Sequence, residues 1–178
     1  YACEVWLLDE EMYVNIVMTY QDMLYRLALH DCKNCHDAED VVQTVFLNLY
    51  RTSPDFESME HLKNWLIRVT INECRKLFVS PWKKKMDFPN EFPDIAVTGF
   101  ENPEEQTMLL QLVFSLPRKY RIPIYLYYYE EYSVKEISSL MGKRPSTIQT
   151  QLARARGKLK QLLKEVEENA GSFSKRTI

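Results

Sequence analysis

The side chains best placed for chemistry in this 178-residue chain lie between Gly142 and Gln161. Pro145 opens a helical pattern in which Ile148, Leu152, Ala155 and Leu159 form a narrow apolar stripe. The opposite face collects Ser146, Thr150, Ala153, Arg154 and Gly157, with Gln149 and Arg156 at its edges. Six basic residues (Lys143, Arg144, Arg154, Arg156, Lys158 and Lys160) fall in this span, with no acid among them. Small and polar side chains let a helix approach base edges in the major groove. Gln and Arg can make bidentate contacts there, while Lys and Arg neutralise phosphates. This is the chemistry of holding a polyanion.

Two other groups invite a reading. Asn64, Arg68, Asn72 and Arg75 share one stripe of a helix that is otherwise apolar nearly all round. That stripe is either a solvated face or a surface for phosphates and bases. Cys32-x-x-Cys35, flanked by His30 and His36, could serve a metal or a redox couple. No second ligand pair follows at finger-like spacing, so no metal or cofactor is expected. No nucleophile–base pair, phosphate loop or carboxylate pair stands out, and the chain is not expected to be an enzyme in itself.

The elements that must position these groups follow from periodicity. Residues 10–29 place Tyr13, Ile16, Val17, Tyr20, Leu24, Leu27 and Ala28 on one helical stripe, and the polar segment His30–His36 breaks it. Asp37 stands where an N-cap belongs. The helix Ala38–Arg51 is predicted to bury Ala38, Val41, Val42, Val45, Phe46, Leu49 and Tyr50. It presents Asp40, Gln43, Thr44, Leu47, Asn48 and Arg51 on the other side. Leu47, in the middle of that polar face, is an ordinary exposed leucine or part of a docking surface. Thr52–Glu60 reads as a loop and His61–Phe78 as a central core helix.

Val79–Pro103 is a linker, holding four of the eight prolines, Gly99 and Lys83-Lys84-Lys85. A helical pattern resumes near Glu104 and stops at Pro117, where the next helix starts. Pro123 should kink that helix or shift its start. The aromatic run Tyr125–Tyr129 is expected to pack in the core and between domains. Ser133 caps Val134–Met141, with Glu136 completing a capping box. A turn at Met141-Gly142-Lys143 then leads into the basic helix, the outline of a helix-turn-helix, and 169–178 is expected to be a flexible tail.

Composition agrees with this organisation. Hydrophobic residues make up 46% and only 4 glycines occur, which favours an all-α fold of two helical domains, 1–80 and 104–168, joined by the Pro-rich stretch 81–103. No apolar run approaches the roughly 20 residues that span a bilayer, and no basic-then-apolar signal opens the chain. A cytoplasmic protein is expected, and because residue 1 is Tyr a few native residues could precede it. Four cysteines in a chain this size do not suggest a disulfide scaffold. Residues 1–80 carry 7 Lys/Arg against 13 Asp/Glu, whereas 104–178 carry 13 against 8. The basic half suits a polyanion, and the acidic half suits a protein partner.

Three ordered blocks carry a resemblance. DAEDVVQTVFLNLYR (37–51), HLKNWLIRVTINECRKLF (61–78) and, after the linker, LPRKYRIPIYLYYYEEYSVKEISSLMGKRPSTIQTQLARARGKLKQLL (116–163) resemble the bacterial extracytoplasmic-function (group IV) sigma factors. The match runs over about residues 10–165. It implies two helical domains that bind core RNA polymerase and direct it to promoter DNA. The 37–51 block resembles the segment that docks on the clamp helices of the largest polymerase subunit, making Asp40, Gln43, Thr44 and Leu47 contact candidates. The 52–60 loop with Asn64, Arg68, Asn72 and Arg75 resembles the −10 element reader, which captures an unstacked base. The last block resembles the −35 element reader. There Gln149, Thr150, Ala153 and Arg154 match the usual DNA-facing positions, and Arg144, Ser146 and Thr147 complete the set. Cys32 and Cys35 fall where this family has a plain interhelix turn. An anti-sigma partner fits the resemblance but leaves no readable motif.

The chain departs from the family pattern at four places. Thr44 replaces the acid common after the docking Gln, Arg144 replaces the Ser-like cap, and Gln149 and Gln151 stand at positions often basic. These leave docking intact but keep the −35 sequence preference open. The competing reading is a self-standing helix-turn-helix regulator whose N-terminal domain senses a ligand or dimerises. It would bind promoters without polymerase.

Two promoter elements about two DNA turns apart lie roughly 70 Å from each other. The 25 residues from Val79 to Pro103 reach about 80 Å fully extended but average some 25–30 Å as a coil. The linker is therefore expected to be ordered and extended on the polymerase. Cutting it to about ten residues should abolish promoter-specific transcription in vitro, and unchanged transcription would refute the extended linker.

Overall fold

Asp9 starts the first helix by accepting a hydrogen bond from the Met12 N–H at 2.7 Å. Glu10 and Glu11 follow in the first turn, where negative charge complements the positive end of the helix dipole. A computed structural model of the chain describes residues 9–52, 54–79 and 110–174, with side chains as far as 165. The stretch expected as a linker, 81–103, including Lys83, Lys84 and Lys85, lies outside the described residues. The chain is all-α: among the described residues there is no strand. It divides into two units, Tyr1–Pro93 and Asp94–Ile178.

The first unit is a three-helix bundle of α1 (Glu10–Cys32), α2 (Cys35–Thr52) and α3 (Met59–Val79), each packed on the other two. The expected stripe of α1 faces inward, with Ile16, Leu24, Leu27 and Ala28 buried. The helix runs on past residue 29 to Cys32, so only Lys33 and Asn34 separate it from α2. Lys33 adopts a left-handed conformation (φ 58°) and its N–H closes on Leu29 O at 2.9 Å. Asn34, and not Asp37, caps α2. Its Oδ1 accepts from Asp37 N–H at 3.0 Å, because this short amide reaches the free donors as soon as the left-handed turn ends. Ser58 caps α3 in the same way, accepting from His61 N–H at 3.0 Å, so the helix begins two residues earlier than its periodicity suggested.

The core of this unit is formed by Leu24, Leu27, Ala38, Val45, Leu49, Leu66, Ile67 and Ile71, all almost fully buried. Tyr50 is not part of it. One residue past Leu49, it is turned ~100° away from the core stripe and is 65% exposed, edge-on to Tyr13 at 5.5 Å. Nor is α3 a central helix. In a triangular bundle each helix hides one face, and Trp65, Val69, Leu77 and Phe78 are only half-buried.

The second unit contains α4 (helical over 110–115), α5 (Arg118–Tyr128), α6 (Val134–Met141) and α7 (Pro145–Ser174). Pro117 takes the N-cap position of α5, one residue before the helical position expected of it. Pro123 sits buried inside α5, which continues around it to Tyr128. The aromatic run is divided. Tyr125 and Leu126 are buried, Tyr129 is half-buried and stacked on Tyr125 at 5.6 Å, and Tyr127 and Tyr128 face solvent. The stretch expected as a tail from 169 is helical as far as Ser174. Gly171 alone does not outweigh the helix-forming residues before it.

Between α6 and α7 the turn is built as its residues require. Gly142 ends α6 in the left-handed region (φ 62°), which only glycine adopts without cost. The Lys143 N–H bonds to Ser138 O at 3.0 Å, and the Ser138 hydroxyl donates to Lys143 O at 2.6 Å, binding the turn to the helix it leaves. At the other end of α6 the Ser133–Glu136 capping box is complete. Hydrogen bonds from the Ser133 side chain, and then from its backbone N–H, hold the Glu136 carboxyl below the usual carboxylate range. A depressed folded value means that the stabilisation is full above the ordinary carboxylate pKa and is lost as pH falls through the folded one. Ser133→Ala should cost about 1 kcal/mol in the local stability of α6, read by hydrogen exchange of its amides in the full chain. The difference between wild type and Glu136→Ala should shrink on acidification.

Candidate nucleic-acid interface

α7 starts at Pro145, whose missing N–H costs nothing in a first turn. Arg144 precedes it, and its carbonyl accepts from Thr147 and Ile148 at 2.9 and 3.3 Å. Ile148, Leu152 and Ala155 are buried where α7 packs on α5 and α6. With that stripe held, Arg144, Ser146, Thr147, Gln149, Thr150, Ala153 and Arg154 are all exposed, together on and before the first three turns. The Thr150 hydroxyl donates to Ser146 O at 2.8 Å, which leaves its lone pairs and methyl group for an incoming ligand. The N–H groups of the first turn add a positive end to this face.

The face is not flat. A cleft of about 320 Å³ is lined by Ser146, Thr147, Thr150, Gln151 and Arg154 from α7 and by Lys119 and Tyr120 from α5. Lys119 is thus a second cation beside Arg154 that α7 alone did not reveal. Its Nζ lies over the Tyr120 ring, 5.1 Å from the centroid. The only trace of it in the sequence is the basic LPRKYR segment, which precedes α7 by some two dozen residues. Gln151 is half-buried, and its Oε1 has no hydrogen-bond partner among the described residues. Gln149, by contrast, is freely exposed.

In the first unit, Arg68, Asn72 and Arg75 are exposed in a row along α3, with Arg75 donating to Asn72 Oδ1 at 3.4 Å. Asn64 heads the row but is half-buried, its Oδ1 unpartnered among the described residues. Next to it the loop before α3 is pinned by Phe56, buried and edge-on to His61 and Trp65 at 5.6 and 5.7 Å. This aromatic clasp was not read from the sequence. On α2, Asp40, Gln43 and Thr44 are exposed and Leu47 is 49% exposed, with Tyr50 one turn further on. The Leu47 face is therefore more apolar than its sequence pattern suggested.

Cys32 and Cys35 do not converge on a ligand site. Cys32 is buried against Cys74, whereas Cys35 opens α2. Among the described residues no three His, Cys, Asp or Glu side chains are grouped to hold a metal ion, and no helix is long and apolar enough to cross a membrane.

Comparison with known proteins finds a family match in each unit. Residues 16–83 match the family model of Sigma-70 region 2, and residues 106–159 match that of Sigma-70, region 4. The ECF RNA polymerase sigma factor SigW of Bacillus subtilis is 28% identical over an alignment spanning 89% of this chain and 92% of that protein. This chain belongs to the extracytoplasmic-function sigma factors. RNA polymerase sigma factor SigV of the same organism is 26% identical over 80% of this chain and 85% of its own length. The fold is similar to that of the sigma factor RpoE from Bartonella quintana, solved in complex with the anti-sigma factor NepR. Its TM-score is 0.67 at 21% identity, covering 85% of this chain and 96% of that one. As a sigma factor, the chain serves promoter-specific transcription initiation by RNA polymerase. A self-standing regulator is not favoured, because the N-terminal unit matches Sigma-70 region 2.

Proposed function

We propose that the two units divide the work of a sigma factor between the faces described. The exposed face of α7 reads the −35 element in the major groove, through Gln149, Thr150, Ala153 and Arg154. Arg144, Ser146 and Thr147 border the phosphates at the helix start. The observation that carries this reading is the burial of Ile148, Leu152 and Ala155, which leaves those polar side chains together beside a positive helix end. In the first unit, Asn64, Arg68, Asn72 and Arg75 engage the −10 element, with the half-buried Asn64 amide next to the Phe56 loop suited to a single unstacked base. Asp40, Gln43, Thr44 and Leu47 dock on core polymerase, and Tyr50 extends that contact.

Catalysis of RNA synthesis belongs to the polymerase, and this chain supplies no catalytic residues or cofactor. It works in the cytoplasm with the template. The likeness to a sigma factor solved with an anti-sigma factor supports such an inhibitor as a further partner.

Transcription in vitro with core polymerase over a randomised promoter library tests this reading. Recovery of two spaced elements is expected, with weak DNA binding by the chain alone. Strong, selective promoter binding without core would overturn it. Arg154→Ala should cost about 1–3 kcal/mol of promoter affinity and relax preference at one position if the side chain reads a base. An even loss across sequences would restrict Arg154 to phosphate. Leu47→Asp should weaken association with core roughly tenfold or more while leaving the helical content intact, since Leu47 is outside the core.

A further inference from the structure

The Cys32-x-x-Cys35 spacing suggests a pair of sulfurs three residues apart, but the fold pairs Cys32 with a different thiol. Cys32 is the last residue of α1 and Cys74 lies in the last two turns of α3. Their sulfurs are 3.8 Å apart across 42 residues of sequence, and the side chains are 2% and 0% exposed. Cys35 begins the next helix and has its own neighbour, the Tyr25 hydroxyl, with which it shares a hydrogen bond.

We propose that Cys32 and Cys74 form an oxidative modification site, at which a peroxide converts the thiol contact into an intramolecular disulfide joining α1 to α3. The sulfurs need only close from 3.8 Å to the bonding distance of about 2.05 Å. The last six residues of α1, Leu27 to Cys32, are all buried, so peroxide reaches the pair through a local opening of the bundle, next to the half-buried turn at Lys33 and Asn34 that directly follows Cys32. The Cys32 sulfur attacks one peroxide oxygen, the O–O bond breaks, and the departing oxygen leaves as water, giving a sulfenic acid. The Cys74 sulfur then attacks that sulfur, the S–O bond breaks, and a second water leaves as the Cys74 proton is lost. Two thiols are oxidised by two electrons and one peroxide is reduced to two waters. Dithiothreitol reverses the change by thiol–disulfide exchange.

The test uses the whole chain. It is treated with excess hydrogen peroxide, its remaining thiols are alkylated under denaturing conditions, and it is digested without reduction for mass spectrometry. A Cys32–Cys74 linked peptide, lighter by two hydrogens and released by dithiothreitol, is expected in wild type and in Cys35→Ser. Cys74→Ala should instead leave Cys32 unlinked. Because the bond ties two packed helices together, the oxidised monomer should melt higher by roughly 10 °C. A Cys32–Cys35 link, a disulfide between chains, complete alkylation after peroxide, or a lower melting temperature would each overturn the proposal.

Discussion

Burial of Ile148, Leu152 and Ala155 against α5 and α6 sets the rotation of α7 about its own axis. A helix with one apolar stripe has a single way to satisfy it, and every other side chain then takes its direction from that choice. Arg154 and Thr150 face outward because Leu152 and Ala155 face inward. The turn before the helix must deliver it at the right place. Gly142 supplies the left-handed residue, and the buried Ser138 clamps Lys143, so neither the angle nor the start of α7 is left to chance.

The same logic governs the N-terminal unit with a different outcome. Its three helices pack as a triangle, so each keeps a face for solvent or a partner. On α3 that surface is a row of Arg and Asn, and on α2 it is acidic and polar around Leu47 and Tyr50. A cationic row suits nucleic acid, whereas a polar rim around an exposed leucine and tyrosine suits a protein surface. In the proposed division of work, one small bundle meets polymerase and DNA on different helices.

Errors in reading the sequence had local causes. Asp37 looked like the cap of α2 because it precedes the apolar run, but Asn34 reached the free N–H groups first, once Lys33 had turned left-handed. Tyr50 looked like core because aromatic residues at the edge of a stripe usually turn inward. Here its ring leans edge-on against Tyr13 at the surface instead. Lys119 was not visible as part of the α7 surface, since nothing in a helical wheel reports what a neighbouring helix brings alongside.

The sequence by itself determined the helices, the capping box, the glycine turn and the family, because these depend on local spacing and on side-chain chemistry within a few residues. It also determined which face of α7 would be polar, since periodicity is a property of a single helix. Tertiary structure decided everything that joins separate segments: the cleft between Lys119 and Arg154, the Phe56–Trp65 clasp and the pairing of Cys32 with Cys74. Those contacts arise from how apolar stripes of different helices fit together, and no single stripe contains the shape of its partner.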